Sequence, residues 1–143
     1  MKRRTFLLKS ASTAFGFQVV SSHVLRAAEG QNTPNNKIRI AAIGCGGRGG
    51  ADLGAMAGEE IVALCDVDDR RAAGAFKKFP KAKRFKDFRK MYDAVGDQID
   101  AVLVATPDHT HAVAIMGAIG RGKHVYSEKP LAHSVAEGRT LRA

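Results

Sequence analysis

One stretch of this sequence carries most of the information about its fold, Ile38-Arg39-Ile40-Ala41-Ala42-Ile43-Gly44-Cys45-Gly46-Gly47-Arg48-Gly49. Its first half is short, apolar and β-branched, which is typical of a buried strand. Its second half fits the pattern G-x-G-x-x-G at the start of a helix. The first glycine of that pattern allows a tight turn, the second lets a pyrophosphate approach the backbone, and the third lets the helix pack closely. The stretch therefore predicts a dinucleotide-binding turn.

The predicted phosphate-binding residues are the six consecutive positions of this turn: Gly44, Cys45, Gly46, Gly47, Arg48 and Gly49. The phosphates would lie at the N-terminus of the next helix, where free N–H groups and the helix dipole favour negative charge. Two alternatives stay open for the glycine pattern. It could be a packing turn of an unrelated α/β protein, or the cofactor loop of an S-adenosylmethionine-dependent methyltransferase.

Strand-like and helix-like segments alternate along the chain on both sides of this turn. Five segments are strand-like, 38–43, 61–65, 82–85, 101–105 and 123–127, and the one at 82–85 is weaker than the others. The segments between them have helical length and composition: 48–58, 69–79, 87–95 and 110–121. Strands that are apolar on both faces and alternate with helices indicate a parallel sheet covered on both sides. Right-handed crossovers then predict an α/β fold with a doubly wound parallel sheet, the Rossmann fold.

Asp66 follows the second predicted strand, 20 residues after Gly46. A carboxylate at this point can accept hydrogen bonds from the adenosine ribose hydroxyls and would repel a 2′-phosphate. We therefore expect NAD or NADP as the cofactor, with NAD favoured. Arg70 and Arg71 complicate this preference, since either could stack on adenine or reach a phosphate; Arg70 is included among the predicted cofactor-binding residues.

The net charge of +9 suggests nucleic-acid binding until the charges are located. Five basic residues precede the first acid, Glu29, and the remainder of the chain has 18 basic and 14 acidic residues. A second basic cluster lies at 77–90, with Asp87 as its one acidic residue. We interpret it as a solvated surface and expect no nucleic-acid partner.

The N-terminus has the layout of an export signal. Residues 1–4 are basic, residues 6–25 are moderately apolar, and small residues follow at Ala27 and Ala28. The segment Arg3-Arg4-Thr5-Phe6-Leu7-Leu8-Lys9 resembles the twin-arginine motif, whose export machinery would then be a partner. We thus expect residues 1–28 to be a twin-arginine-type signal, 29–36 a linker and 37–143 the folded domain. We expect export to the periplasm by the twin-arginine route; the alternative to a twin-arginine signal is an ordinary secretory signal or an uncleaved membrane anchor.

The two cysteines predict neither a disulfide framework nor a metal site. Cys45 lies in the glycine turn and Cys65 ends the neighbouring strand, so a bridge between them would constrain the loop that holds the pyrophosphate. We expect both to be free, small residues, and we expect no metal ligands.

Two further polar loops follow predicted strands, where the ligand crevice of a doubly wound sheet lies. The first is Thr106-Pro107-Asp108-His109-Thr110-His111 and the second is Glu128-Lys129-Pro130. Asp108 or Thr110 could simply cap the next helix. Ser134 and Glu137 fit a capping box at the start of a last helix.

The glycine turn, Asp66, the threonine–proline–histidine loop and Glu-Lys-Pro, in this order, resemble the glucose–fructose oxidoreductase/inositol dehydrogenase (Gfo/Idh/MocA) family. This resemblance covers the chain after the linker and implies an NAD(P)-dependent oxidoreductase acting on a sugar or polyol. It also implies that Ala105, Thr106 and Pro107 line the nicotinamide riboside site with His109 beside them. By the same resemblance, Glu128 contacts the nicotinamide ribose and Lys129 is both a cofactor contact and the catalytic lysine.

Enzymes of this family have a second α/β domain that binds the substrate and forms the oligomer interface. No such domain is expected within residues 37–143, and the usual sixth strand of the first domain would be absent as well. The sequence therefore leaves two functions open. One is the cofactor-binding part of a sugar or polyol oxidoreductase. The other is a truncated, catalytically silent remnant that at most binds a dinucleotide.

Overall fold

The computed structural model describes residues 37–143. The predicted signal segment 1–28 and the predicted linker 29–36 lie outside the described residues. Five strands alternate with helices, and their bounds are β1 Arg39–Ile43, α1 Gly47–Ala55, β2 Glu60–Cys65, α2 Asp69–Lys78, β3 Lys83–Phe85, α3 Phe88–Val95, β4 Ala101–Val104, α4 Asp108–Ile119, β5 His124–Ser127 and α5 Val135–Arg142. A short 3₁₀ turn, Gly96–Gln98, follows α3.

The five strands form one sheet in the order β3-β2-β1-β4-β5, and every neighbouring pair is parallel. The strand order reverses at β1, because the chain moves outward through β2 and β3 and then returns to the other side of β1. This is the doubly wound arrangement, so the predicted Rossmann fold is confirmed.

Two apolar clusters pack on the opposite faces of the sheet. One contains Met91, Ile99 and Val104, and the other contains Leu53 and Leu64. The three central strands, β2, β1 and β4, are buried on both faces since helices cover each side, which explains why their sequences are continuously apolar rather than alternating. The edge strands β3 and β5 are more exposed than the predicted two-sided covering of the whole sheet. Each large side chain removed from water in this way contributes about 1.5–3 kcal/mol to folding.

The strand register brings the ends of all five strands to the same edge of the sheet. Ile43 pairs with both Cys65 and Val104, Cys65 pairs with Phe85, and Val104 pairs with Ser127. The residues that follow these positions must therefore share one edge. Parallel pairing thus gathers segments that are up to 84 residues apart in sequence.

The predicted elements are present, but several boundaries differ. The first helix ends at Ala55 instead of residue 58, and the fourth begins at Asp108 instead of residue 110. Consequently neither Asp108 nor Thr110 caps α4: Pro107 is its N-cap residue, and the Thr110 hydroxyl donates to the Pro107 carbonyl. The capping box of Ser134 and Glu137 is present at the start of α5, as predicted.

Within residues 37–143, the helices are too short or too polar to traverse a lipid bilayer.

Candidate functional site

A cleft of about 710 Å³ opens at the carboxyl edge of the sheet. Its walls come from the loops that follow β1, β2, β3 and β4. Eight of the predicted cofactor residues line it: Gly44, Gly46, Arg48, Asp66, Ala105, Thr106, Pro107 and His109. The other six predicted residues are not part of the cleft wall: Cys45, Gly47, Gly49, Arg70, Glu128 and Lys129.

The glycine turn is packed directly against the loop after β4. Gly44 has a φ of +84°, which L-residues rarely adopt, and a Cβ on it would overlap the main-chain oxygen of Ala105. A Cβ on Gly49 would overlap the carbonyl oxygen of Gly44. These two positions therefore require glycine for packing, whether or not a ligand is present.

The N-terminus of α1 faces the cleft without a side-chain cap. Gly46 is its N-cap residue, and the first turn has no acidic side chain. By contrast, α2 begins with the carboxylate of Asp68, which accepts a hydrogen bond from the Arg70 N–H at 2.9 Å. The first N–H groups of a helix have no intrahelical acceptor. Those of α1 are consequently suited to binding an anion such as a pyrophosphate.

Asp66 connects the second strand to the glycine turn. One of its carboxylate oxygens accepts the Cys45 N–H at 2.8 Å and the other accepts the Asp68 N–H at 2.9 Å. Each carboxylate oxygen can accept more than one hydrogen bond, so Asp66 can still bind ribose hydroxyls. The residue thus has a structural task besides the predicted cofactor contact.

The two arginines of α2 have different environments. Arg70 is 94% exposed, lies beside Asp68 with 3.5 Å between Nε and Oδ1, and is not part of the cleft wall. Arg71 lines the cleft, and its Cβ lies 2.9 Å from the position that a Cβ on Gly46 would occupy. The geometry therefore favours Arg71 over the predicted Arg70 as the basic side chain near a bound nucleotide. The helical spacing explains this, since adjacent residues on a helix point in different directions.

Thr106 presents an unpaired polar atom at the cleft. Its Oγ1 is buried and has no hydrogen-bond partner within the part of the chain that the structure describes. Buried hydroxyl groups are normally satisfied, so an unpaired one in a cleft wall is suited to a ligand group. This agrees with the expected position of Thr106 beside the nicotinamide riboside.

Glu128 is held by Arg48 rather than lining the cleft. The Nε of Arg48 lies 3.0 Å from Oε1 of Glu128, and its Nη2 lies 3.1 Å from Oδ1 of Asp52. The hydrogen bond from Arg48 lowers the pKa of Glu128. Burial raises the pKa of Asp52, and the nearby charge of Glu128 raises it further against the effect of Arg48. Arg48 is thus the cation between two carboxylates.

Lys129 is the second residue after β5, and its side chain is exposed. Its ammonium group makes no hydrogen bond or ion pair with the residues that the structure describes. The Lys129–Pro130 peptide bond is cis. The ammonium group is accordingly available to a substrate or cofactor that approaches this edge of the sheet.

The two cysteines are both free and buried. The Sγ of Cys45 lies 3.5 Å from the carbonyl oxygen of Cys65. Burial raises the pKa of each thiol to about 12, so neither is a thiolate nucleophile at neutral pH. In residues 37–143, no three His, Cys, Asp or Glu side chains are grouped as they would be around a metal ion.

The sequence interpretation did not include the wall formed by the loop after β3. Lys86 and Phe88 line the cleft there, and Val67 and Asp68 line it after β2. The rule that ligands bind beyond the carboxyl ends of strands could have found them, because it applies to every strand of the sheet. The third strand is short and polar, so its sequence gave a weak strand signal and the loop after it was not predicted to belong to the site.

A dinucleotide fits the features present. The cleft has the volume of a typical cofactor site, an uncapped helix N-terminus at one part of its wall and the unpaired hydroxyl of Thr106 at another. Because Gly44 and Gly46 have no side chains, the cleft wall at these two positions consists of main-chain atoms. Fold and cleft together define a Rossmann-type nucleotide-binding domain.

Comparison with known families identifies the domain more closely. The profile of the Gfo/Idh/MocA oxidoreductase family, which has an NAD-binding Rossmann fold, matches residues 38–143. This chain belongs to that family. The prediction of a nicotinamide cofactor with NAD favoured is confirmed, and so is the membership of an oxidoreductase family.

Several proteins are similar in sequence to this chain. Inositol 2-dehydrogenase of Rubrobacter xylanophilus is 34% identical over 112 residues, which cover 75% of this chain and 31% of that protein. A glycosyl hydrolase family 109 protein of Solibacter usitatus is 35% identical over 116 residues, which cover 73% of this chain and 26% of that protein. The chain thus spans about a quarter to a third of the length of these relatives.

Two solved structures are also similar to this chain, and each is matched over about a third of its own length. The WlbA dehydrogenase of Bordetella pertussis, in complex with NADH and UDP-GlcNAcA, has a TM-score of 0.67 and 31% identity, covering 75% of this chain and 33% of its own. The myo-inositol dehydrogenase of Lactobacillus casei, in complex with NAD(H) and myo-inositol, also has a TM-score of 0.67, with 28% identity, covering 74% of this chain and 32% of its own.

Proposed function

We propose that this chain is the cofactor-binding part of an NAD-dependent dehydrogenase of a sugar or polyol. The supporting observation is the junction of Gly44, Gly46 and Thr106 in one cleft at the carboxyl edge of the sheet. Inositol dehydrogenases among the similar proteins support the substrate class. When bound in this cleft, NAD would supply the hydride acceptor, while the protein would supply position and charge.

The proposed contacts follow the order of the loops around the cleft. The α1 N-terminus binds the pyrophosphate, Asp66 binds the adenosine ribose, and Ala105, Thr106, Pro107 and His109 surround the nicotinamide riboside. Arg48 also lines the cleft beside the glycine turn, with its guanidinium paired to Glu128 and Asp52.

Lys129 is the proposed catalytic residue. An ammonium group beside the hydroxyl-bearing carbon of the substrate can hydrogen-bond that oxygen, take part in proton transfer and stabilise negative charge on it. Glu128, next to it, would contact the nicotinamide ribose. For that contact its carboxylate must share its hydrogen-bonding capacity between the ribose and Arg48.

The binding proposal is tested by titrating the full chain with NADH and following nicotinamide fluorescence. We expect saturable binding, weaker binding of NADPH, and competition by NAD⁺. A folded chain that binds none of these would overturn the proposal.

The catalytic proposal is tested with Lys129→Met in the dehydrogenase that contains this chain, with a panel of inositols, sugars and glycosides as substrates. Glycosides are included because one relative is a glycosyl hydrolase family 109 protein. Turnover should be lost while NADH affinity stays within about twofold of the wild type. Retained turnover would remove Lys129 from its role.

We further propose that the protein is exported to the periplasm by the twin-arginine route, which carries folded proteins with bound cofactors. The Arg3-Arg4 pair and the apolar segment after it support this. A reporter that is active only when it is exported in the folded state should be exported when residues 1–36 are fused to it. The double substitution Arg3→Lys/Arg4→Lys in this fusion should abolish the export of the reporter. Equal export by both fusions would contradict the route. A reporter found in the membrane fraction would show that the signal remains as an anchor.

A further inference from the structure

His111 is a buried histidine between the last two strand-end loops. It lies in the first turns of α4 and is only 1% exposed. Its Nε2 is 2.7 Å from the carbonyl oxygen of Thr106, and its Nδ1 is 2.6 Å from the carbonyl oxygen of Pro130. One imidazole ring therefore contacts the loop after β4 and the loop after β5.

Both partners of the ring are main-chain carbonyl oxygens, which only accept hydrogen bonds. A carbonyl only accepts, so a ring nitrogen bonds its carbonyl when it carries a proton; a neutral imidazole has one N–H, and the tautomer decides which of the two nitrogens donates. The hydroxyl of Ser127 is 3.5 Å from Nδ1 and donates to the carbonyl of Glu128 at 3.1 Å. His111 thus fixes main-chain atoms rather than another side chain.

The two loops have few other connections beyond the sheet. Strand pairing ends at Val104 and Ser127, and the last ladder-like bond is from the Glu128 N–H to the Val104 carbonyl at 2.9 Å. Beyond that point, among residues 37–143, the side chain of His111 is the one whose polar atoms lie within hydrogen-bonding distance of both loops. Its two ring contacts set the distance between Thr106 and the backbone that carries Lys129.

We propose that His111 is a positioning residue for the nicotinamide half of the cofactor site. It touches neither cofactor nor substrate, and it holds the wall residue Thr106 and the Glu128-Lys129-Pro130 segment in a fixed relation. The inference rests on the proposed function, because the proposed function assigns these two loops to the nicotinamide side of the cofactor. Among the described residues, His111 makes no hydrogen bond to the glycine turn or Asp66, which form the adenosine side, and that side should depend on it less.

Two ligands separate this role from a merely structural one. ADP has the adenosine and pyrophosphate parts of the cofactor but no nicotinamide riboside, whereas NADH has both. Their affinities for the full chain can be measured by calorimetry for wild type, His111→Leu and His111→Gln. The leucine side chain fills the space without a donor, and the glutamine amide can still donate to one carbonyl.

We expect His111→Leu to weaken NADH binding about tenfold, the effect of losing one well-made hydrogen bond, and to leave ADP binding within about twofold. His111→Gln should show a smaller loss for NADH and none for ADP, and this variant alone suffices if the leucine variant does not fold. His124→Gln, at the opposite end of β5, is the matched control and should bind both ligands as wild type does.

Equal losses for NADH and ADP would show that His111 only stabilises the domain, and unchanged NADH affinity would show that the loops do not need it. Either result would overturn the inference about His111. The proposed function would still stand in that case, because it depends on NADH binding by the wild-type chain. A wild-type chain that binds neither ligand would overturn both.

Discussion

The guanidinium of Arg48 connects the glycine-turn helix to the loop after the last strand, with 3.0 Å between its Nε and Oε1 of Glu128. The two residues are 80 positions apart, and the same guanidinium pairs with Asp52 one turn along α1. Arg48 is 68% exposed at its side chain, while Asp52 is 8% exposed. The cation therefore screens two neighbouring carboxylates that would otherwise repel each other.

Arg48→Met should destabilise the domain at neutral pH, because it leaves Asp52 and Glu128 facing each other. The pKa of Glu128 is lowered in the folded protein, so its contribution to stability is present above its ordinary pKa of 4.5 and is lost as the pH falls through the lowered value. The raised pKa of Asp52 acts in the opposite sense, since protonating it favours the folded state.

The difference between wild type and Arg48→Met should therefore shrink as both carboxyls become protonated. Urea unfolding midpoints between about pH 7 and pH 3 would measure this. Arg70→Met, which removes a 94% exposed arginine, is the control and should change stability little. A difference that does not depend on pH would contradict this account of Arg48.

Gly44→Ala should destabilise the domain by at least about 1–3 kcal/mol, the cost of forcing a residue with a Cβ into a positive φ. The overlap of that Cβ with the Ala105 carbonyl adds to it. Gly58→Ala is the matched control, since a Cβ there meets nothing within 4 Å. Thermal unfolding of the two variants should differ clearly, and similar melting temperatures would show that the turn at Gly44 relaxes.

Asp66→Asn should weaken NADH binding and reduce the preference for NADH over NADPH. The substitution removes the negative charge that opposes a 2′-phosphate, and it replaces one of the acceptors for the N–H groups of Cys45 and Asp68 by an amide donor. Dissociation constants for both cofactors give the ratio. Asp93→Asn, on an exposed part of α3, should leave the ratio unchanged. An unaltered ratio in Asp66→Asn would assign cofactor choice elsewhere, with Arg71 and Lys86 the next residues to test.

Asp87 should give the domain an acid-dependent stability. Hydrogen bonds from the Arg89 side chain and N–H lower its pKa to about 2 from an ordinary 3.8. Its contribution is complete above the ordinary value and is lost as the pH falls from about 4 to about 2. Asp87→Asn keeps an acceptor for the helix N-terminus without the charge, so its stability should change less over this range. Asp97→Asn should retain the wild-type pH dependence in the same unfolding measurement.

The sequence was sufficient for the fold because its main determinants are local. The continuous apolar run of β1 requires burial on both faces, and the glycines after it permit only a tight turn into a helix. Asp66 was recognisable because a fixed βαβ length brings the end of the second strand beside that turn. The export signal and linker were read from the same sequence and stay predictions, since they lie outside the described residues.

Tertiary structure decided which side chains face the cleft. Arg70 and Arg71 are adjacent in sequence, and only the rotation of α2 against the glycine turn places Arg71 in the wall. Lys86 and Phe88 enter the site through the register of β3, a strand whose own sequence is weak. Such choices depend on packing between distant elements, which no local pattern encodes.

The sequence by itself therefore determined the sheet, the glycine turn and the type of cofactor, each of which follows from short-range patterns of size and polarity. Only the tertiary structure decided the pairing of Arg48 with Glu128 and the position of His111 between two carbonyl groups. Both arrangements join segments that parallel strand pairing brings together. Their partners are set by distances across the sheet edge, and those distances are fixed only when the whole domain has folded.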